Sequence, residues 1–215
     1  NTPMVTERVL QDAVAELQNE DFESLDELNA FLSQTLNNPN PAGRQKSDRD
    51  QAQDLIYEAF EVAGKERVRL AEKALEIYPY NADAYGILAH RADNLQTASQ
   101  LFEKGMRVGK EDLGSDFFAE NSGHFWGILE SRPYMRAKYG YAETLYEMGE
   151  VKQASQHFEE LLKLNPNDNQ GVRYTLFIAY VDTDEMKKAK KLLIDYPDGD
   201  AAGLFNKLLI ELLEK

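Results

Sequence analysis

Residues 135–168 read MRAKYGYAETLYEMGEVKQASQHFEELLKLNPND, and their spacing decides the fold. Apolar and small residues recur at helical intervals on both sides of Gly149, which marks a turn between two antiparallel helices. Ala142 on the first helix and Ala154 on the second lack bulk, so the two axes can approach closely. Leu145, Phe158 and Leu161 supply the apolar contact between them. Pro166 has no amide hydrogen and clashes with the preceding turn, so the second helix stops before it.

The same pattern extends outward in weaker form. Residues 82–108 place Tyr85, Leu88 and Ala89 on a first helix and repeat the Ala154-to-Phe158 interval as Ala98 to Phe102, with a turn about three residues shorter. Residues 48–79 carry Leu55, Ala59, Ala71 and Ala74 and end at Tyr78-Pro79; residues 169–197 carry Ala189 and end at Tyr196-Pro197. About four helical pairs in file are expected. The period and small-residue positions of residues 135–168 resemble the tetratricopeptide repeat superfamily, and the resemblance spreads more loosely over residues 48–197. Residues 82–109 are also faintly similar to the suppressor of tumorigenicity seven family, from which nothing is carried over. The resemblance implies an all-α fold, a right-handed superhelix of antiparallel helix pairs, whose first helices line a concave binding face. Some members of the superfamily hold a partner's terminal carboxylate with lysine, asparagine and arginine on successive first helices. Here those places hold Tyr139 with Glu143 and Gly86 with His90, and only Arg136 and Arg173 suit the task, so such a clamp is not expected.

Around the array the organisation is uneven. Residues 37–47, NNPNPAGRQKS, contain Pro39 and Pro41 and read as a linker. Residues 1–36 before it read as a helical hairpin: Ser24 and Glu27 have capping-box spacing, and Leu25, Leu28, Phe31, Leu32 and Leu36 form one face. Val9, Leu10, Val14 and Leu17, or the main body, are expected to cover that face. Residues 48–215 form the repeat domain. Within it, residues 109–133 read as an irregular insertion punctuated by Gly109, Gly114, Gly123 and Gly127. In residues 201–215 Leu204, Phe205, Leu208, Leu209, Leu212 and Leu213 form a stripe expected to seal the last apolar surface, with a dimerising or membrane-surface helix as the alternative.

The composition narrows function by exclusion. A chain of 215 residues with 42% hydrophobic content can bury a core. It has 38 acidic against 24 basic residues, a net charge of -14, and such a field repels phosphate backbones, so nucleic acid is not an expected partner. There is no cysteine, hence no disulfide, thiolate ligand or cysteine nucleophile. No apolar run reaches the roughly 18 to 20 residues of a membrane span, and no basic start with an apolar stretch is visible. The cytoplasm is the expected compartment and no membrane insertion is expected. His90, His124 and His157 fall in different units without metal-ligand spacing, and no nucleophile elbow or phosphate-cradling glycine loop is present. No catalytic residue, metal or cofactor is expected.

Two segments stand out as candidate binding surface. Residues 120–136, ENSGHFWGILESRPYMR, hold the only tryptophan, and Arg132 and Arg136 lie one helical turn apart. Either Phe125 and Trp126 flank a groove in which the arginines receive a carboxylate, or the aromatics fold inward and the arginines pair with local acids; the second is favoured. Residues 165–174, NPNDNQGVRY, open the next first helix, which Asp168 can cap. The face of successive first helices then presents Arg136, Tyr139, Glu143, Arg173, Tyr174 and Phe177. The reading that follows is a non-enzymatic scaffold or adaptor that binds a peptide or helix of a protein partner. Self-association through the C-terminal leucine-rich helix is the alternative, and a hydrolase using His124 and Glu130 is the weakest.

Overall fold

The computed structural model describes residues 3–17, 22, 24–37, 46–197 and 201–213, and within these the chain is helical throughout with no strand. The order is α1 (Pro3–Leu17), α2 (Leu25–Asn37), α3 (Asp48–Glu61), α4 (Gly64–Ile77), α5 (Ala82–Ala89), α6 (Leu95–Leu113), α7 (Ser115–Asn121), two single 3-10 turns (Phe125–Gly127 and Leu129–Ser131), α8 (Arg132–Glu147), α9 (Val151–Leu164), α10 (Val172–Asp182), α11 (Met186–Asp195) and α12 (Ala201–Leu213). Residues 38–45, most of the expected linker, lie outside the described residues.

Consecutive helices pack as pairs: α3 on α4, α5 on α6, α8 on α9 and α10 on α11. Each pair leans on the next through α4 with α5, α6 with α8, and α9 with α10. The alanines that the spacing singled out, Ala59, Ala71, Ala74, Ala89, Ala98, Ala142, Ala154 and Ala189, are all buried. Phe158 is fully buried between α8 and its neighbours, and Phe102 fills the corresponding place one pair earlier. There Gly140 matters: a Cβ on it would fall inside the Phe102 ring, so only glycine lets α8 lie against α6 at this level. Two apolar cores result. The first holds Ile56, Leu70, Ala71, Ala84 and Ile87; the second runs from Phe125 and Met135 through Phe158 and Phe177 to Leu192 and Ile210.

Two expectations are corrected. The interruption does not begin at Gly109, because α6 continues to Leu113. Gly109 is a close-approach point within α6: an added Cβ would meet Ala82 Cβ at 3.1 Å and Tyr134 Cβ at 3.2 Å. Only residues 114–131 separate α6 from α8, and they fold inward. Phe117 and Phe118 pack on Phe125 at 5.4 and 4.9 Å, Phe118 meets Tyr134 at 5.1 Å, and the Ser131 hydroxyl donates to the carbonyls of Phe125 and Ile128. The second correction concerns α12. It turns Asn206, Leu209 and Ile210 toward the core, while Leu204, Phe205, Leu208 and Leu212 remain exposed, so of the expected stripe only Leu209 among the described side chains turns inward. One helix has a single inward side, and on α12 the residues one turn apart that reach the core are 203, 206 and 210.

Candidate functional site

The first helices α3, α5 and α8 bring their polar side chains to one place, and α1 lies over it. Asn81 caps α5 by accepting the amide of Ala84 at 3.0 Å, and its own amide donates to Gln53 Oε1 on α3 at 2.9 Å. Gln53 in turn donates to Asp83 Oδ2 at 3.2 Å. Asp83, in the first turn of α5, receives Arg136 of α8 through two parallel bonds, Nε to Oδ1 at 2.7 Å and Nη2 to Oδ2 at 2.6 Å. This is the bidentate geometry that a guanidinium makes with a carboxylate.

Glu7 of α1 completes the cluster. Its Oε2 accepts from Arg132 Nη1 and Arg136 Nη1, both at 3.1 Å, and its Oε1 accepts from Arg136 Nη2 at 3.0 Å. The Tyr57 hydroxyl stands 3.4 Å from Glu7 Oε1 and donates to Gln11 Oε1, one turn further along α1, at 2.6 Å. Glu7, Gln53, Asn81 and Asp83 are buried. Two guanidiniums face two carboxylates, so the cluster is neutral as a whole. Burial alone would lower the Arg136 pKa, but Asp83 and Glu7 outweigh it and hold it above the free value. Burial first, and then the Glu7 and Asp83 carboxylates, push the Tyr57 phenol well above its ordinary range, so it is present as a donor.

The expected binding residues therefore divide. Arg132 and Arg136 meet at Glu7 of α1, and Trp126 lies beside the first of them: the Arg132 guanidinium is 5.3 Å from the Trp126 ring and its Nε donates to the Trp126 carbonyl at 2.9 Å. The acids that the arginines meet are not local ones. They are Glu7 and Asp83, brought from other helices. Further along α8, Tyr139 and Glu143 are half-buried, and the Tyr139 hydroxyl is 3.5 Å from Thr175 Oγ1 on α10. Burial pushes Tyr139 up to about 12 and raises the Glu143 carboxyl above its ordinary value. Arg173 and Tyr174 form a separate cluster at the start of α10, where Asp168 accepts the amides of Val172 and Arg173 and pairs with the Arg173 guanidinium at 2.7 Å. The guanidinium also lies 4.3 Å from the Tyr174 ring. Phe177 is a correction: it is 1% exposed, within the core, because α10 is covered on that side by α9 and α11. It has no surface for a partner.

The residues that sequence reasoning missed are Glu7, Gln53, Tyr57 and Asp83. Asp83 carries a local signal, being two residues after a helix-capping asparagine, but that signal reads as capping. The other three have no local signature, since their roles come from helices far apart in the chain.

The third reading has no geometry behind it. His124 is exposed and Glu130 half-buried, and no hydrogen bond or ion pair joins them. Among the described residues no three His, Asp or Glu side chains gather as metal ligands, and no helix is long and apolar enough to cross a membrane.

Residues 145–209 match the tetratricopeptide repeat family. The match runs from the second half of α8 through α9, α10 and α11 into α12, so it begins and ends later than the unit with the clearest spacing. Repeats of this family are in general protein-interaction modules and generally non-catalytic, and no enzyme family matches the chain. No curated protein and no solved structure matches it, and nothing supports similarity to the suppressor of tumorigenicity seven family.

Proposed function

We propose that this protein is a non-enzymatic interaction scaffold that takes a helix or peptide of a partner protein on the face of its first helices, next to the seat of α1. The observation that carries this reading is that side chains from α3 and α8, backed by α5, already converge on a helix, which is the task such a face would perform for a partner. Beyond α1 the face continues along α8 and α10, where the Tyr139 hydroxyl comes within 3.5 Å of Thr175 Oγ1. Tyr139, Glu143, Arg173 and Tyr174 border it. Cross-linking of the intact chain in an extract of its source, with mapping of the linked peptides, tests the surface. Partner links should fall on α8 and α10, and Glu143→Gln should reduce them while the chain stays folded by circular dichroism. Links confined to α4, α6 and α9 would place binding on the opposite face and remove the reading.

A second reading is favoured by one observation. Leu204, Phe205, Leu208 and Leu212 on α12 are 61%, 60%, 53% and 58% exposed and fall within about 100° of helix circumference, an apolar stripe of the kind that pairs with a copy of itself. Sedimentation of the intact chain should then show a dimer that Leu208→Glu dissolves; a monomer at all concentrations removes this reading.

A further inference from the structure

One of the two carboxylates that neutralise the arginine pair, Glu7, belongs to α1, yet none of the described side chains of α1 enters either apolar core. Its side-chain hydrogen bonds and ion pairs to the array include Glu7 with Arg132, Arg136 and Tyr57, Gln11 with Tyr57, and Arg8 with Asp54 at 3.5 Å. Among its described side chains Ala13 is the only apolar one that is buried, and Leu10 is 37% exposed. A helix held this way can leave without opening a cavity in a core. Its departure also hydrates the arginines instead of leaving them buried and unpaired, so the heavy penalty of truncating one partner of a buried pair does not arise. What remains is Arg132 and Arg136 against Asp83 alone, one positive charge in excess on a chain whose net charge is -14.

We propose that α1 is a releasable internal occupant of this seat, and that it yields to a partner helix presenting a glutamate followed one turn later by a hydrogen-bond acceptor. The proposal rests on the interaction-scaffold reading above and deepens it by naming the partner's chemistry. The chemistry is read from α1 itself: Glu7 meets the two guanidiniums, and Gln11, four residues on, meets the Tyr57 hydroxyl. A basic helix would bring cations against two arginines, whereas an acidic one restores the neutral cluster. Because α1 is tethered to the array, it competes at high local concentration, and the apparent affinity for a partner falls by the fraction of chains in which the seat is open.

The test uses the full chain and a fluorescent peptide with the sequence of residues 3–17. Glu7→Gln in the chain weakens its own α1 and leaves the arginines in place. The peptide should bind this variant about tenfold more tightly than it binds the unmodified chain, and a peptide carrying Glu7→Lys should bind neither. Hydrogen exchange should show α1 amides of the variant exchanging faster than in the unmodified chain, with α3, α5 and α8 unchanged. Equal peptide affinity for both chains, or no binding to the variant, overturns the proposal. Should the variant fail to fold, exchange in the unmodified chain decides: α1 exchanging well ahead of α8 supports release, and α1 exchanging only with α8 overturns it. If the peptide test fails while partner cross-links still fall on α8 and α10, the scaffold reading stands and only the release of α1 falls. If the peptide exchanges but cross-links fall on the opposite face, the reverse holds.

Discussion

On the face of the first helices α1 is seated by charges and hydrogen bonds, with Glu7 buried between two arginines; at the C-terminal end α12 is seated by Leu209 and Ile210 and leaves four large apolar side chains in water. One helix lies on the face of the first helices and the other covers the last pair, and the two contacts differ in kind. A polar seat is selective, because charges must match and a wrong occupant leaves one unpaired. An apolar seat is tolerant, because area rather than pattern sets its strength. The seat of α1 is therefore the selective one for the partner proposed above, and the exposed stripe of α12 the tolerant one for the proposed self-association.

Substitutions can break or sharpen this contrast. The largest effect is expected from Asp83→Ala, which leaves Arg136 short of a carboxylate and Gln53 without its acceptor; unfolding by denaturant should show a loss of about 3 to 5 kcal/mol. At the C-terminal end, Ile210→Ala removes the most buried apolar side chain described on α12 and should cost about 2 kcal/mol in the same measurement, a cavity effect without any change in salt dependence. Leu208→Glu should leave stability within about 0.5 kcal/mol while altering sedimentation, since the side chain it replaces is exposed. If Leu208→Glu proved strongly destabilising, the exposed stripe would have to be packed in solution.

The smallest expected effect lies away from both contacts. His157 on α9 has its pKa lowered below the ordinary 6.5, by burial first and then by the adjacent Lys138 ammonium. Its nearest partners are Lys138 Nζ at 3.1 Å and the Glu160 carboxylate at 3.9 Å. Above pH 6.5 the ring is neutral in both the folded and unfolded chain, so the stability is fully present. As the pH falls below 6.5 the unfolded chain takes up a proton that the folded chain resists, and stability declines until the pH passes the folded value. A thermal midpoint followed downward from pH 7 should therefore fall less steeply in His157→Gln than in the unmodified chain.

Helical pairing was legible in the chain because it is a local property. Ala142, Ala154 and Phe158 sit at intervals fixed by 3.6 residues per turn, and Pro166 stops a helix whatever surrounds it. The same local reading failed at Gly109, where a residue that commonly breaks helices instead serves a close packing contact with Ala82 and Tyr134. It failed again on α12, where six apolar residues share a broad stripe and only contact with the rest of the array selects which of them face inward.

For the candidate site, the sequence by itself determined that two arginines one turn apart at the head of α8 would need carboxylates. Only the tertiary structure decided that those carboxylates are Glu7, 129 positions from Arg136, and Asp83, 53 positions from it. The physical reason is the difference in range: helix periodicity and capping are settled within a few neighbouring residues, whereas an ion pair needs only nearness in space, and nearness between α1, α5 and α8 comes from the stacking of the whole array.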